Sequence, residues 1–121
     1  MDEQMSTSAA AWHTERVPSR APLPDMPPRV AAVQRVLSST TRMVCLLDVL
    51  AHPGSQRSEI QERTGLSSAG VRFALRDLEE TEHIVTDIED GASRVGKRVH
   101  YSARATLLSS DLVALREWMI R

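Results

Sequence analysis

The feature that most constrains this chain is a change of hydrophobic period within a few residues. Val71, Ala74, Leu75 and Leu78 recur at i, i+3, i+4 and i+7, the apolar stripe of an amphipathic helix, and Ser67 stands ahead of them with the side-chain oxygen an N-terminal cap needs. After Glu82 the period falls to two: Ile84, Thr86 and Ile88 alternate with Val85, Asp87 and Glu89, and Asp90-Gly91 signals a turn. The expectation is a helix over 67–80 running into a β-hairpin. Its return strand is expected over 98–103, with Val99, Tyr101 and Ala103 on one face and residues 91–97 as a long tip.

Upstream, Ser58 followed by Gln61 has the spacing of a capping box, Ile60 points inward, Gly65 supplies a left-handed terminator and Leu66 fills the corner. A short helix, a tight turn and the 67–80 helix therefore form a pair. Two more helices precede it. Pro28 suits a helix start before Val30, Val33, Val36 and Leu37, while Ser38 to Thr41 offer caps for a second helix with Met43, Leu46, Leu47 and Leu50 inward, stopped by Pro53-Gly54. Cys45 within it reads as a small buried hydrophobe. Ser109 or Ser110 is expected to cap a last helix carrying Leu112, Leu115, Trp118 and Met119.

Five of the six prolines fall in the first 28 residues, among few large apolar side chains. Residues 1–28 are expected to be a disordered arm, and residues 29–121 one domain with a single small core, mainly helical with a small β-hairpin. No run approaches the roughly 18 apolar residues a membrane span needs. The start is neither basic nor apolar, so no secretory signal is expected and the cytoplasm is the expected compartment. A lone cysteine forms no internal disulfide, and His13, His52, His83 and His100 are scattered, so neither a metal nor a cofactor is expected. No Gly-rich phosphate loop or nucleophile-base pattern appears, which argues against an enzyme.

What the chain touches is indicated by charge placement rather than total charge. The net charge is only −1. Residues 29–76 nevertheless carry seven arginines against three acids, residues 77–90 carry seven acids and no base, and residues 91–104 carry Arg94, Lys97, Arg98 and Arg104 with no acid. The acidic stretch reads as a solvated face. Opposite the apolar stripe, the 67–80 helix presents Ala69, Arg72, Phe73 and Arg76 with Ser68 beside them. Arg72 and Arg76, one turn apart, suit guanine or phosphate, Ser67 and Ser68 suit a backbone phosphate, and Phe73 suits a thymine methyl. At the hairpin tip, Arg94, Lys97 and Arg98 suit phosphates or a narrow minor groove, with Gly91 and Gly96 letting the tip bend close.

The segment SEIQERTGLSSAGVRFALRDLEETEHIV, Ser58 to Val85, resembles the helix-turn-helix of ArsR- and MarR-type bacterial transcriptional regulators, and LSSTTRMVCLLDVL, Leu37 to Leu50, is similar to the helix preceding it in the ArsR type. Gln61, where these families usually place Ala, and Glu82, where a Gly commonly closes the recognition helix, mark a divergent member. The Cys and His ligands of metal-sensing relatives are missing. The resemblance implies a winged helix-turn-helix fold and dimerisation through the terminal helices. The apolar surface of those helices suggests Val30, Val33, Leu37, Leu112, Leu115, Trp118 and Met119 as the dimer interface.

The leading expectation is a homodimeric, sequence-specific double-stranded DNA-binding transcriptional regulator. Its recognition helix 67–80 would enter the major groove, and its wing, 90–98, would lie on the minor groove or backbone. Two others stand beside it: a DNA-binding protein of plasmid or phage replication, partition or recombination, and a winged-helix protein-docking module. Residues between the outer helices specify no effector, small-molecule or protein.

Overall fold

The computed structural model describes residues 24–89 and 91–121. The expected disordered arm therefore lies almost entirely outside the described residues. Five helices and a three-stranded sheet follow one another as α1 (Pro28–Leu37), α2 (Thr40–Ala51), β1 (Ser55–Gln56), α3 (Arg57–Thr64), α4 (Ser68–Glu80), β2 (Ile84–Thr86), β3 (His100–Ala103) and α5 (Ala105–Met119). None of these helices is long and apolar enough to cross a membrane.

The best-patterned segment folds as its pattern dictates. Ser67 Oγ accepts a hydrogen bond from the Gly70 amide, and α4 buries Val71, Ala74, Leu75 and Leu78. Gly65, at φ +73°, ends α3 in the left-handed conformation that a side chain would strain. These faces meet Ile60 of α3, Cys45, Leu46 and Val49 of α2, Val36 of α1, and Ile84 and Tyr101 of the sheet in one core.

Elsewhere the structure corrects the local reading. On α2 the buried residues are Cys45, Leu46 and Val49, whereas Met43 and Leu47 are exposed. This helix is apolar on nearly every side, so periodicity admits several stripes, and packing against α3 and α4 selects one. The cap of α3 is Gln56, not Ser58. A two-residue strand, unmarked in the sequence, delivers the chain to the helix early, and Glu59, not Gln61, closes the capping box on the Gln56 amide at 2.7 Å. The last helix begins at Ala105, leaving Ser109 and Ser110 exposed within it. The cause is at the sheet's end, where the Arg104 amide donates to the His83 carbonyl at 2.8 Å and turns the chain straight from β3 into α5.

The sheet is antiparallel in the order β1-β3-β2, with Ile84 opposite Ala103 and Ser55 opposite Tyr101. The expected hairpin is thus present, joined by a third short strand. Its ladder is shorter than the alternation suggests because the Asp87 carboxylate takes both the backbone N–H of His100 at 2.9 Å and its Nδ1 at 2.8 Å. The long connection 87–99 carries the basic tip.

Glu82 holds φ +71° at the corner between α4 and β2. A non-glycine residue there bears a steric penalty of about 1–2 kcal/mol. The corner is fixed by its neighbours: Thr81 and His83 are buried on either side, and the His83 amide bonds to the Leu78 carbonyl.

Candidate nucleic-acid interface

The outward side of α4 and the tip of the hairpin enclose one open cleft of about 600 Å³. Arg72 and Arg76 enter it from α4 with Ser68, and Arg94, Lys97 and Arg98 enter from the β2–β3 connection. The two cationic segments thus meet on one side of the molecule. Ala69 and Phe73 on α4, and Ser67 at its N-cap, lie exposed without lining the cleft. The oxygen of Ser67 is already engaged as the helix cap.

Further contributors were not anticipated. Arg57, Ser58 and Gln61 line the same cleft from α3, with Gln56 of β1 and Tyr101 of β3, so its polar groups come from more than the two expected segments. Arg57 was visible in the sequence only as part of the positive count, because its use depends on where α3 crosses α4. Among the described residues, Arg57, Arg72, Lys97 and Arg98 make no ion pair, whereas Arg29, Arg35, Arg42, Arg63 and Arg94 each pair with a carboxylate. Pairing divides the basic residues into those that tie elements together and those turned outward.

Arg94 behaves differently from its neighbours on the tip. Its guanidinium grips Glu79 of α4 through two bonds, at 2.7 and 3.2 Å, and latches the tip to the helix. The Glu79 carboxylate, which also lines the cleft, is thereby neutralised. The acidic stretch is accordingly more than the solvated face its composition suggested. Asp77 is nearly buried and is held by Arg35 and Arg42, each at 2.9 Å, and Glu80 pairs with Arg35 at 3.1 Å.

On α4 the guanidinium carbons of Arg72 and Arg76 stack over the ring of Phe73, 5.0 and 4.9 Å from its centroid. Each such cation–π contact contributes about 0.5–1 kcal/mol at an exposed site. Phe73 therefore engages two arginines of its own helix.

A second polar cluster, far from the cleft in function, joins the terminal helices. Arg29 of α1 donates to both carboxylate oxygens of Asp111 on α5, and the same carboxylate receives His83 Nε2 at 2.7 Å, while His83 Nδ1 lies 2.8 Å from Thr81 Oγ1. His83 and Asp111 are fully buried. Burial would raise the Asp111 carboxyl, but hydrogen bonds from Arg29 and His83 outweigh it and hold the group below its ordinary value of 3.8. At Asp87 the backbone N–H of His100 is the main cause of a lowered carboxyl. Burial, with the nearby Asp48, pushes the Cys45 thiol up to about 11, in keeping with a packing role. Among the described residues no group of three His, Cys, Asp or Glu side chains is placed to hold a metal.

The residues expected at a dimer interface are split by the structure. Val30 and Val33 are buried within the single chain, where α1 packs on α5, and are not available to a partner. Leu37, Leu112 and Met119 are exposed, and Leu115 and Trp118 are half-buried.

A helix-turn-helix followed by a hairpin whose tip returns beside the second helix, with a helix at either end, defines the winged helix-turn-helix fold. Solved structures share it. An ArsR-like transcriptional regulator from Rhodococcus sp. RHA1 superposes with a TM-score of 0.61 at 20% identity, over 76% of this chain and 80% of that one. NolR from Sinorhizobium fredii gives 0.55 at 16% identity over 78% and 95%. A predicted DNA-binding transcriptional regulator from E. coli gives 0.54 at 20% identity over 70% and 84%. No protein-family model matches the chain, and no curated protein does either.

Proposed function

We propose that this protein is a sequence-specific, double-stranded DNA-binding transcriptional regulator that acts as a homodimer, with α4 in the major groove and the basic tip on the adjacent minor groove or backbone. The observation that carries the reading is the convergence of Arg57, Arg72, Arg76, Lys97 and Arg98 on one cleft, although these residues come from three elements. A duplex is a polyanion with a groove wide enough to admit a helix, and the cations gathered at the cleft are complementary to it in charge. Two structural neighbours that share the fold are named as transcriptional regulators, which agrees with the reading. The exposed apolar residues of α5 supply a surface for a second copy.

The test is binding of the full chain to a pool of random duplexes over a range of salt. Wild type is expected to enrich a defined sequence with strongly salt-dependent affinity. Replacing Arg72 and Arg76 together by Ala should abolish that enrichment at unchanged helix content. An unaltered affinity and salt slope in the double variant would refute the assignment.

A further inference from the structure

We infer that Arg72, Phe73 and Arg76 act as one reading unit, in which the Phe73 ring holds two guanidinium forks so that together they select two guanines within four consecutive base pairs. This inference rests on the DNA-binding reading and adds what the cleft would recognise.

Core packing does not account for the ring's position. Phe73 is 46% exposed, lies outside the core cluster and stands on the outward side of α4 between Arg72 and Arg76. A bare aromatic there would add apolar surface without packing; two cations stacked on it give it a use. Free arginines on a helix sample many rotamers, and any that binds a base must first be confined to one. Contact with the ring performs that confinement before the duplex arrives, which converts a diffuse charge into a directed pair of donors.

Geometry then limits the target. Guanine is the base whose major-groove edge offers two acceptors, O6 and N7, to a guanidinium fork. Both guanidinium carbons lie within 5.0 Å of one centroid, so they stand no more than about 10 Å apart. At about 3.4 Å per base step that spans at most three steps, or four base pairs. Neighbouring charge leaves the pair available. Asp77 lies 3.8 Å from Arg76 Nε, but its two oxygens are each bonded at 2.9 Å to Arg35 and Arg42, so Arg76 is held only loosely. In this arrangement Phe73 is a positioning residue, and the arginines touch the bases.

Selection of bound duplexes from a random pool by the full chain tests this. The expected sites carry two guanines, on either strand, within four consecutive base pairs, and changing either to adenine weakens binding about 5- to 150-fold. Phe73→Leu should keep helix content, thermal midpoint and salt slope yet lose most of that discrimination, while Phe73→Tyr keeps it. Selected sites without paired guanines, or full discrimination in Phe73→Leu, would overturn the inference and leave DNA binding standing. Absence of any duplex binding at low salt would overturn both.

Discussion

Asp111 is the one fully buried side chain of α5, and it is a carboxylate. Its burial is tolerated because Arg29 of α1 and His83 of the α4–β2 corner satisfy it, and removing it takes the carboxylate from the fully buried His83 Nε2 and leaves Arg29 with only Glu82 and the Thr81 carbonyl. Breaking such a pair costs about 3–5 kcal/mol, with the low end expected here because Arg29 stays a third exposed. Asp111→Asn should therefore lower stability at pH 7 by about 3 kcal/mol in urea denaturation. A carboxyl whose folded pKa is lowered stabilises the fold above its unfolded pKa, and that contribution is lost as pH falls through the folded value. Wild type should accordingly lose stability below about pH 3.8, and Asp111→Asn should show a shallower acid limb. Equal acid limbs would argue against this role for the carboxylate. The sequence held Asp111 and His83 in plain view, yet nothing near either residue indicated the other, 28 positions away.

At the scale of elements, the hairpin tip is tied to α4 by Arg94 and Glu79 rather than swinging alone. Loss of Arg94 would have two consequences: the tip loses its latch, and an unmasked carboxylate is left in the cleft proposed for a polyanion. Arg94→Ala should weaken duplex binding, and Glu79→Gln added to it should restore much of the loss, which a fluorescence anisotropy titration of the two variants would register. If Arg94 instead acted as a direct phosphate contact alone, Glu79→Gln would recover nothing. The helix-turn-helix was legible because its signals are local: Ser67, Gly65 and the Val71 to Leu78 stripe act within four or five residues. The buried face of α2, the cap of α3 and the start of α5 were not, since each is chosen by a neighbour distant in sequence.

The whole molecule presents an uneven exterior. The far half of α5 shows Leu112, Val113 and Met119 to solvent, with Ile120 beyond its end, and Trp118 is half-buried. Exposed apolar side chains gathered at one end of a helix are commonly covered by another chain. Under the dimer proposal, Leu112→Glu combined with Met119→Glu should sediment as a single folded chain. Its affinity for a duplex holding two half-sites should fall by about 100-fold or more as bivalency is lost. A wild type that sediments as one chain at micromolar concentration would remove the basis for that proposal.

Sequence alone determined where the regular elements lie around the turn, which face of α4 is apolar and which outward residues are basic, because caps, glycine conformers and hydrophobic periods depend on residues only a few positions apart. Tertiary structure decided which cations remain turned outward. Arg29 and Asp111 are 82 positions apart and Arg35 and Asp77 are 42, and such pairings form only once packing brings the elements together. The same packing brought Arg57 to the cleft that Arg72 lines and closed the tip onto Glu79, because ion pairing falls off over a few ångströms and so follows the fold rather than the order of the chain.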